Sequence, residues 1–148
     1  MKIRDILKVK GSKVWIIREN QTVEDALHML VSHKIGALLV LNENGSDIAG
    51  IISERDIVRA AYVRGPNLNI APVREFMTSH VLTASADDEI SDIMHLMTER
   101  RIRHLPVVDS GALQGLVSIG DVVKILVHES EHEIRHLKEY MYGPEKEA

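Results

Sequence analysis

The chain has 148 residues, of which 45% are hydrophobic and 27% charged, and it carries a net charge of −4 and no cysteine. This length and composition predict one compact globular fold, and the lack of cysteine excludes disulfides and thiolate catalysis. The acidic balance argues against a general nucleic-acid binder, and the sequence shows neither a membrane-spanning run nor a signal peptide, which favours the cytoplasm.

The first half of the chain has the elements of one mixed unit. A short strand is expected at residues 14–17, and its counterpart in the second half at residues 81–84. Thr22 is suited to cap a helix with Asp25 three residues later, and apolar residues then recur at helical spacing over residues 23–31. Two apolar strands joined by a polar turn follow, and Ser-Glu-Arg-Asp at residues 53–56 opens another helix. The pattern predicts a β-α-β-β-α unit.

The second half repeats this unit. Residues 23–30 align with residues 90–97 without a gap at an offset of 67, and Asp87 or Asp88 is expected to cap that helix. Ser-Ile-Gly-Asp at residues 118–121 then matches the earlier Ser-x-x-Asp at an offset of 65, because the first turn is longer. A small sheet with two helices cannot close its core alone. We therefore predict an α/β (α+β) fold in which two β-α-β-β-α repeats pack pseudo-symmetrically.

The linker between the repeats is placed at residues 62–72, which contain Gly-Pro-Asn. On this basis the first repeat with its linker spans residues 1–70 and the second repeat spans residues 71–127. Residues 128–148 are assigned to a C-terminal helix and a polar tail.

The repeated motif is Gly, two apolar residues and Ser-x-x-Asp, at residues 50–56 and 115–121. Together with the strands at residues 34–40 and 103–109, it resembles a tandem pair of cystathionine-β-synthase (CBS) domains, the Bateman module. The likeness covers residues 1 to about 127, and more narrowly the chain is similar to stand-alone bacterial CBS-pair proteins. It implies that an adenine nucleotide such as AMP, ATP or NAD(H) binds in clefts between the repeats, for sensing rather than catalysis.

The two motifs carry groups that suit such a ligand. Asp56 and Asp121 fall at the third position of their helices, where a carboxylate can accept both ribose hydroxyls. Ser53 and Ser118 are expected beside free backbone N–H groups, the natural setting for a phosphate, which Arg55 could neutralise. The predicted nucleotide-binding residues are Gly36, Ala37, Ser53, Arg55, Asp56, Thr83, Arg103, His104, Pro106, Ser118, Gly120 and Asp121.

The two clefts are predicted to be chemically unequal. Arg55 lies in the first turn of its helix, whereas the second motif has Gly120 there. The residues expected to compensate in the second cleft are Thr83, where the resemblance implies a ligand-contacting hydroxyl, Arg103 and His104. Gly36 and Ala37 of the first repeat would let an adenine approach the backbone closely. We expect one cleft to bind the nucleotide more tightly or to prefer a different phosphate arrangement.

The C-terminal segment contains a literal H-E-x-x-H at residues 128–132, and a second overlaps it and ends at His136. Histidines at i and i+4 share a helix face, so a zinc site is geometrically feasible. A protease would also need a third ligand and a substrate groove. A charged, solvated helix is favoured instead, and no metal site is predicted beyond adventitious zinc or nickel binding.

The same segment carries an apolar stripe with 3-4-3-4 spacing. Its residues are Val127, Ser130, Ile134, Leu137 and Met141. This spacing is typical of a coiled-coil seam, and it predicts a homodimer with these faces paired across a two-fold axis.

Other functions stay open at this point. The Ser-x-x-Asp pairs could be helix caps only, which would leave a structural or interaction dimer with vestigial clefts. The ligand could be another adenosyl compound such as S-adenosylmethionine, or the chain could contact nucleic acid. No nucleophilic side chain paired with a general base is evident, so the protein is not expected to be an enzyme. The sequence does not identify its effector protein.

Overall fold

A computed structural model describes residues 1–143 of the protein. The polar tail at residues 144–148 lies outside the described residues, and the division of the chain at residues 70 and 127 stays a prediction. The elements in chain order are α1 (Ile3–Lys10), β1 (Ile16–Arg18), α2 (Val23–His33), β2 (Ala37–Leu41), β3 (Ile48–Ser53), α3 (Glu54–Arg64), a 3₁₀ helix (Gly65–Ile70), α4 (Val73–Phe76), α5 (Ile90–Arg100), β4 (His104–Asp109), β5 (Ala112–Ser118) and α6 (Ile119–Tyr142).

The first unit is a three-stranded sheet covered by α2 and α3. Strand β1 runs parallel to β2, and β2 runs antiparallel to β3. The predicted cap of α2 is confirmed, because the Thr22 hydroxyl accepts the Asp25 N–H at 3.1 Å and the Asp25 carboxylate accepts the Thr22 N–H at 3.1 Å. These reciprocal bonds fix where α2 begins, so that its apolar face packs on the sheet.

The second unit is a two-stranded antiparallel sheet, β4 and β5, covered by α5 and α6. The strand expected at residues 81–84 is reduced to one parallel bridge between Ala84 and Val107. The expected cap of α5 is wrong, since Glu89 precedes the helix. Asp87 is instead ion-paired with Arg4, and the carboxylate of Asp88 accepts the Ser85 N–H at 2.8 Å in the preceding turn.

The two units exchange their leading helices. Ile3 and Ile6 of α1 are buried in the core of the second unit, whereas Val73 and Phe76 of α4 are buried in the core of the first. Each helix therefore supplies one wall of the core of the other half.

The glycine of each repeated motif lies where the exchanged segment crosses a strand. A Cβ at Gly50 would overlap the carbonyl oxygen of Thr78, and one at Gly115 would lie 2.7 Å from Cδ2 of Leu7. These glycines are thus explained by close packing between the two halves.

The two sheets meet through a third apolar cluster. Ala37, Leu39 and Ile51 are its buried members, and Leu116 of β5 packs against them. The predicted fold, two small α/β repeats packed together with a C-terminal helix, is confirmed. The equivalent helix starts, at α3 and α6, lie beside this interface.

Candidate functional site

A cavity of about 500 Å³ lies at the start of α3, and residues of both units line it. We call it the Asp56 cavity. The first unit contributes Ser53 and Asp56, the second contributes Arg103 and His104, and the segment at residues 78–82 closes one side. Its volume is in the range of small-molecule sites.

The carboxylate of Asp56 is fixed by three hydrogen bonds. Its Oδ2 accepts the backbone N–H of Ser53 at 2.8 Å and the Ser53 hydroxyl at 3.0 Å, and its Oδ1 accepts Nη2 of Arg59 at 2.6 Å. Ser53 is the N-cap of α3 and Asp56 its third residue, as the sequence predicts. Only 8% of the Asp56 side chain is exposed. A carboxylate held in this way is preorganised to accept hydrogen bonds from a ligand.

The cavity is strongly cationic. Among the described residues that line it, Asp56 is the single carboxylate. The basic residues of the lining are Arg55, Arg59, Arg100, Arg101, Arg103, His80 and His104. Clustered guanidinium groups raise the local concentration of anions and suit bidentate contacts with phosphate oxygens.

His104 is held neutral within this cationic setting. Burial lowers its pKa from the ordinary value of 6.5, and the positive charge of Lys10 lowers it further, against an opposing effect of Asp121. The ring can therefore donate or accept a hydrogen bond at neutral pH, and a bound phosphate would favour its protonation.

The sequence-based grouping of the site residues requires correction. Arg103 and His104, assigned to the second cleft, line the same cavity as Ser53 and Asp56, and Gly36 is not in that lining. The reason is that Arg103 and His104 lie close to the helix start of the first unit as well as to that of their own, where the Arg103 carbonyl accepts the Ile119 N–H. Sequence alignment matches equivalent positions but does not show which ones cross.

Several lining residues are absent from the sequence-based set. They are Arg59, Thr78, His80, Arg100 and Arg101. Three arginines within residues 100–103 were a usable indication, because they concentrate positive charge directly before a buried strand, which raises the local concentration of anions. Thr83, by contrast, is not among the residues that line this cavity.

The helix starts offer fewer free donors than expected. The N–H of Glu54 donates to the carbonyl of Gly36 at 3.0 Å, and that of Ile119 donates to the carbonyl of Arg103 at 2.8 Å. The N–H of Asp121 donates to the Ser118 hydroxyl at 3.1 Å. The expectation of free N–H groups beside both serines is therefore wrong for these donors, and the side chains carry more of the anion-binding capacity.

The second Ser-x-x-Asp motif is differently engaged. Oδ2 of Asp121 accepts Nζ of Lys10 at 2.6 Å and the backbone N–H of Ser118 at 2.9 Å. Burial alone would raise the pKa of Asp121, but the hydrogen bonds from Lys10 and Ser118 outweigh it and lower that pKa overall. Asp121 is thus a charged carboxylate whose partner comes from α1.

Three other predicted residues make packing or backbone contacts away from the Asp56 cavity. Pro106 is buried in β4, where its carbonyl accepts the Ala84 N–H at 2.9 Å. Ala37 packs in the cluster between the sheets, and a Cβ at Gly120 would be 3.6 Å from the Ser118 hydroxyl. None of these three residues lines the Asp56 cavity.

The C-terminal histidines lie on exposed helix surface. His128 and His132 line a shallow pocket with Glu129, Glu133 and Met1. Within residues 1–143 no group of three or more histidine, cysteine or acidic side chains is arranged to hold a metal ion. In the same part of the chain no helix is long and apolar enough to cross a membrane.

Comparison with known proteins identifies close relatives of this arrangement. A family model described as "CBS domain" matches residues 3–62 and 73–128. The chain is 37% identical, over 95% of its length and 72% of the relative's, to the mitochondrial CBS domain-containing protein CBSX3 of Arabidopsis thaliana.

Solved structures show the same architecture. The CBS-domain protein ATU1752 of Agrobacterium tumefaciens is 34% identical with a TM-score of 0.81, covering 85% of this chain and 99% of that one. The CBS domain pair of protein MJ0100, solved with 5′-methylthioadenosine and S-adenosyl-L-methionine, is 25% identical with a TM-score of 0.74, covering 87% and 98%.

Proposed function

Because the chain belongs to the family of CBS-domain proteins, as a tandem pair, we propose that it binds a phosphate-bearing adenine nucleotide in the Asp56 cavity and acts as a regulatory sensor. The observation that carries this proposal is the excess of arginines around one fixed carboxylate. Proteins of this family are generally regulatory rather than catalytic. The MJ0100 pair shows that an adenosyl group can occupy this fold.

The carboxylate and the arginines suit different parts of a nucleotide. Asp56 can accept hydrogen bonds from the vicinal hydroxyls of a ribose, since its two oxygens are already oriented. Arg55 and Arg103 lie on opposite units of the lining and can contact phosphate oxygens from two sides. This division of roles favours AMP, ATP or NAD(H) over a ligand without phosphate.

The charge of the cavity also separates nucleotides from S-adenosylmethionine. That ligand carries a positive sulfonium group, which five arginines would repel. Each additional phosphate, on the other hand, adds negative charge near guanidinium groups. We therefore place ATP first and AMP last among the adenine nucleotides, with NAD(H) between them.

The sensing mechanism is a shift of population between geometries of the two units. A nucleotide that contacts both units favours the arrangement in which Arg103 and Asp56 are correctly spaced for it. A partner surface can respond only to the extent that the ligand discriminates between such arrangements. We also propose that the protein regulates a separate effector protein and that it does so in the cytoplasm.

Calorimetric titration with AMP, ADP, ATP, NAD⁺ and S-adenosylmethionine tests the proposal. We expect affinity to rise about tenfold with each added phosphate, because a charge-assisted hydrogen bond contributes roughly 1.5–3 kcal/mol. Arg103→Gln should reduce the gain in affinity for each added phosphate, whereas Arg135→Gln on exposed α6 should leave that gain unchanged. Absence of binding to folded, ligand-free protein would favour vestigial clefts, and equal binding of S-adenosylmethionine and ATP would favour a general adenosyl site.

We also propose that the chain forms a homodimer through α6. Val127, Ile134, Leu137 and Met141 recur on one face of this helix and are at least half exposed. An apolar face at this spacing suits an identical helix across a two-fold axis.

Sedimentation of the purified protein at micromolar concentration should therefore give the mass of a dimer. Ile134→Glu should shift it to the monomer, because it places a charge in the paired face. His136→Glu adds the same charge on another side of α6 and should leave the dimer intact. A monomeric wild-type protein would contradict the proposal.

A further inference from the structure

We propose that the cleft at Asp121 is closed from within by Lys10, so that each chain binds one nucleotide until this contact is released. The proposal rests on the nucleotide function argued above. We call the contact of Lys10 with Asp121 and the Leu116 carbonyl the Lys10 latch, and the region around Asp121 the Asp121 cleft.

The repeat makes the Asp121 cleft the counterpart of the Asp56 cavity. Asp121 corresponds to Asp56, and both are the third residue of a helix capped by serine. By the same alignment Trp15 corresponds to Leu82, which lines the Asp56 cavity. The two regions therefore occupy equivalent places in the two repeats, and the residues at each aligned position can be compared.

The first difference is the ammonium group on the carboxylate. Nζ of Lys10 donates to Oδ2 of Asp121 at 2.6 Å and to the carbonyl of Leu116 at 2.7 Å. Helix α1 brings this lysine from 111 residues away along the chain. The corresponding helix α4 ends at Phe76 after four residues, whereas α1 has eight and continues to Lys10. The extra turn of α1 is thus what carries the latch.

Asp56 has a partner of another kind. Arg59 lies three residues later on the same helix, and its side chain is 62% exposed. Both oxygens of Asp56 accept hydrogen bonds, but the ion pair to Arg59 stays within one helix and can open without moving another element. The Lys10 latch, by contrast, spans from one element to two others and holds Oδ2 of Asp121, so a ribose hydroxyl would have to compete with an ammonium group for that oxygen.

The second difference is an aromatic stack. The rings of Trp15 and His33 are stacked, with centroids 3.5 Å apart and 12° between their planes. Nζ of Lys13 lies 4.3 Å from the centroid of Trp15. The aligned positions in the Asp56 cavity, Leu82 and Arg100, both line open space. The ring of Trp15 is therefore packed against a neighbouring side chain, whereas its aligned residue Leu82 lines the Asp56 cavity.

The third difference is charge. Gly120 stands where the Asp56 cavity has Arg55, and Gly36 stands where it has Arg103. A phosphate at the Asp121 cleft would lack these two guanidinium groups. A nucleotide would have to displace the Lys10 latch while gaining weaker phosphate contacts, so the Asp56 cavity fills first.

Lys10→Met tests the latch, because it keeps the aliphatic stem and removes the ammonium group. We expect calorimetry to give one ATP per chain for the wild type and two for Lys10→Met, with at least a tenfold gain in affinity at the second site. Lys8→Met, an exposed position on the same helix, should stay at one. Lys10→Gln provides a second variant should the methionine variant not fold.

Trp15 can report the binding of a second ATP at the Asp121 cleft, since it is the only tryptophan in the sequence. Its fluorescence should respond to ATP in Lys10→Met and stay nearly unchanged in the wild type. Two sites in the wild type, or one site in both Lys10 variants, would overturn the latch and leave the nucleotide function standing. No binding to any of these proteins would overturn the nucleotide function, and the latch with it.

Discussion

Asp56→Asn is expected to weaken ATP binding by about 100-fold or more. Each of two hydrogen bonds from a ribose diol to a charged carboxylate contributes roughly 1.5–3 kcal/mol, and the single neutral oxygen of asparagine can keep at most one of them in a weaker form. Asparagine has nearly the same shape but one acceptor oxygen, so it can keep the bond from Ser53 or the bond from Arg59, which go to different oxygens of Asp56. Calorimetric titration with ATP, alongside a thermal melt to verify folding, measures the effect.

The matched control is Asp121→Asn. Asp121 has the same place in the repeat, but its carboxylate is bound to Lys10 and is absent from the lining of the Asp56 cavity. We expect its ATP affinity to stay within about twofold of the wild type. Equal losses in the two variants would contradict the assignment of the nucleotide to the Asp56 cavity.

Gly50→Ala is expected to cost about 3 kcal/mol of unfolding free energy and to lower Tm by about 10 °C. The new Cβ would overlap the carbonyl oxygen of Thr78 and lie 2.8 Å from Sδ of Met77. The backbone of Thr78 cannot retreat freely, because it exchanges two hydrogen bonds with Ile51 at 3.0 and 2.9 Å. Urea unfolding followed by circular dichroism gives the free energy directly.

Gly115→Ala is the control for this prediction. Gly115 has the same place in the second motif, but the nearest atom to its new Cβ is Cδ2 at the flexible end of Leu7. That side chain can rotate, and alanine also restricts the unfolded chain by about 0.4–1 kcal/mol. We expect a net change below about 1 kcal/mol. If both alanine variants lose the same stability, the backbone clash at Gly50 is not the cause.

The order of elements and the helix starts could be predicted because their determinants are local. Thr22 with Asp25, and Ser118 with Asp121, form their caps within four residues of chain. The apolar periodicity of α2 and α5 is likewise readable without knowledge of the rest of the fold. The strand expected before α5 was overestimated, since residues 81–84 form only one bridge there.

The composition of the site depended on contacts that the sequence does not encode locally. Arg103 joins Asp56 because the two units cross, and a repeat alignment assigns it to its own half instead. Lys10 reaches Asp121 across 111 residues, through a turn of α1 that has no equivalent in α4. The repeated motif allowed the ligand-binding residue types to be predicted. The side chains that contact them could not be predicted where the two repeats differ.

The exchange of α1 and α4 has a consequence for how the protein folds. Ile3 and Ile6 complete a core whose other buried members follow them by about eighty residues or more, so this cluster cannot close until the second half of the chain is made. Such long-range closure slows folding and couples both halves into one cooperative transition. A fragment of one repeat would leave an apolar wall uncovered, and two complementary fragments would need each other to become soluble.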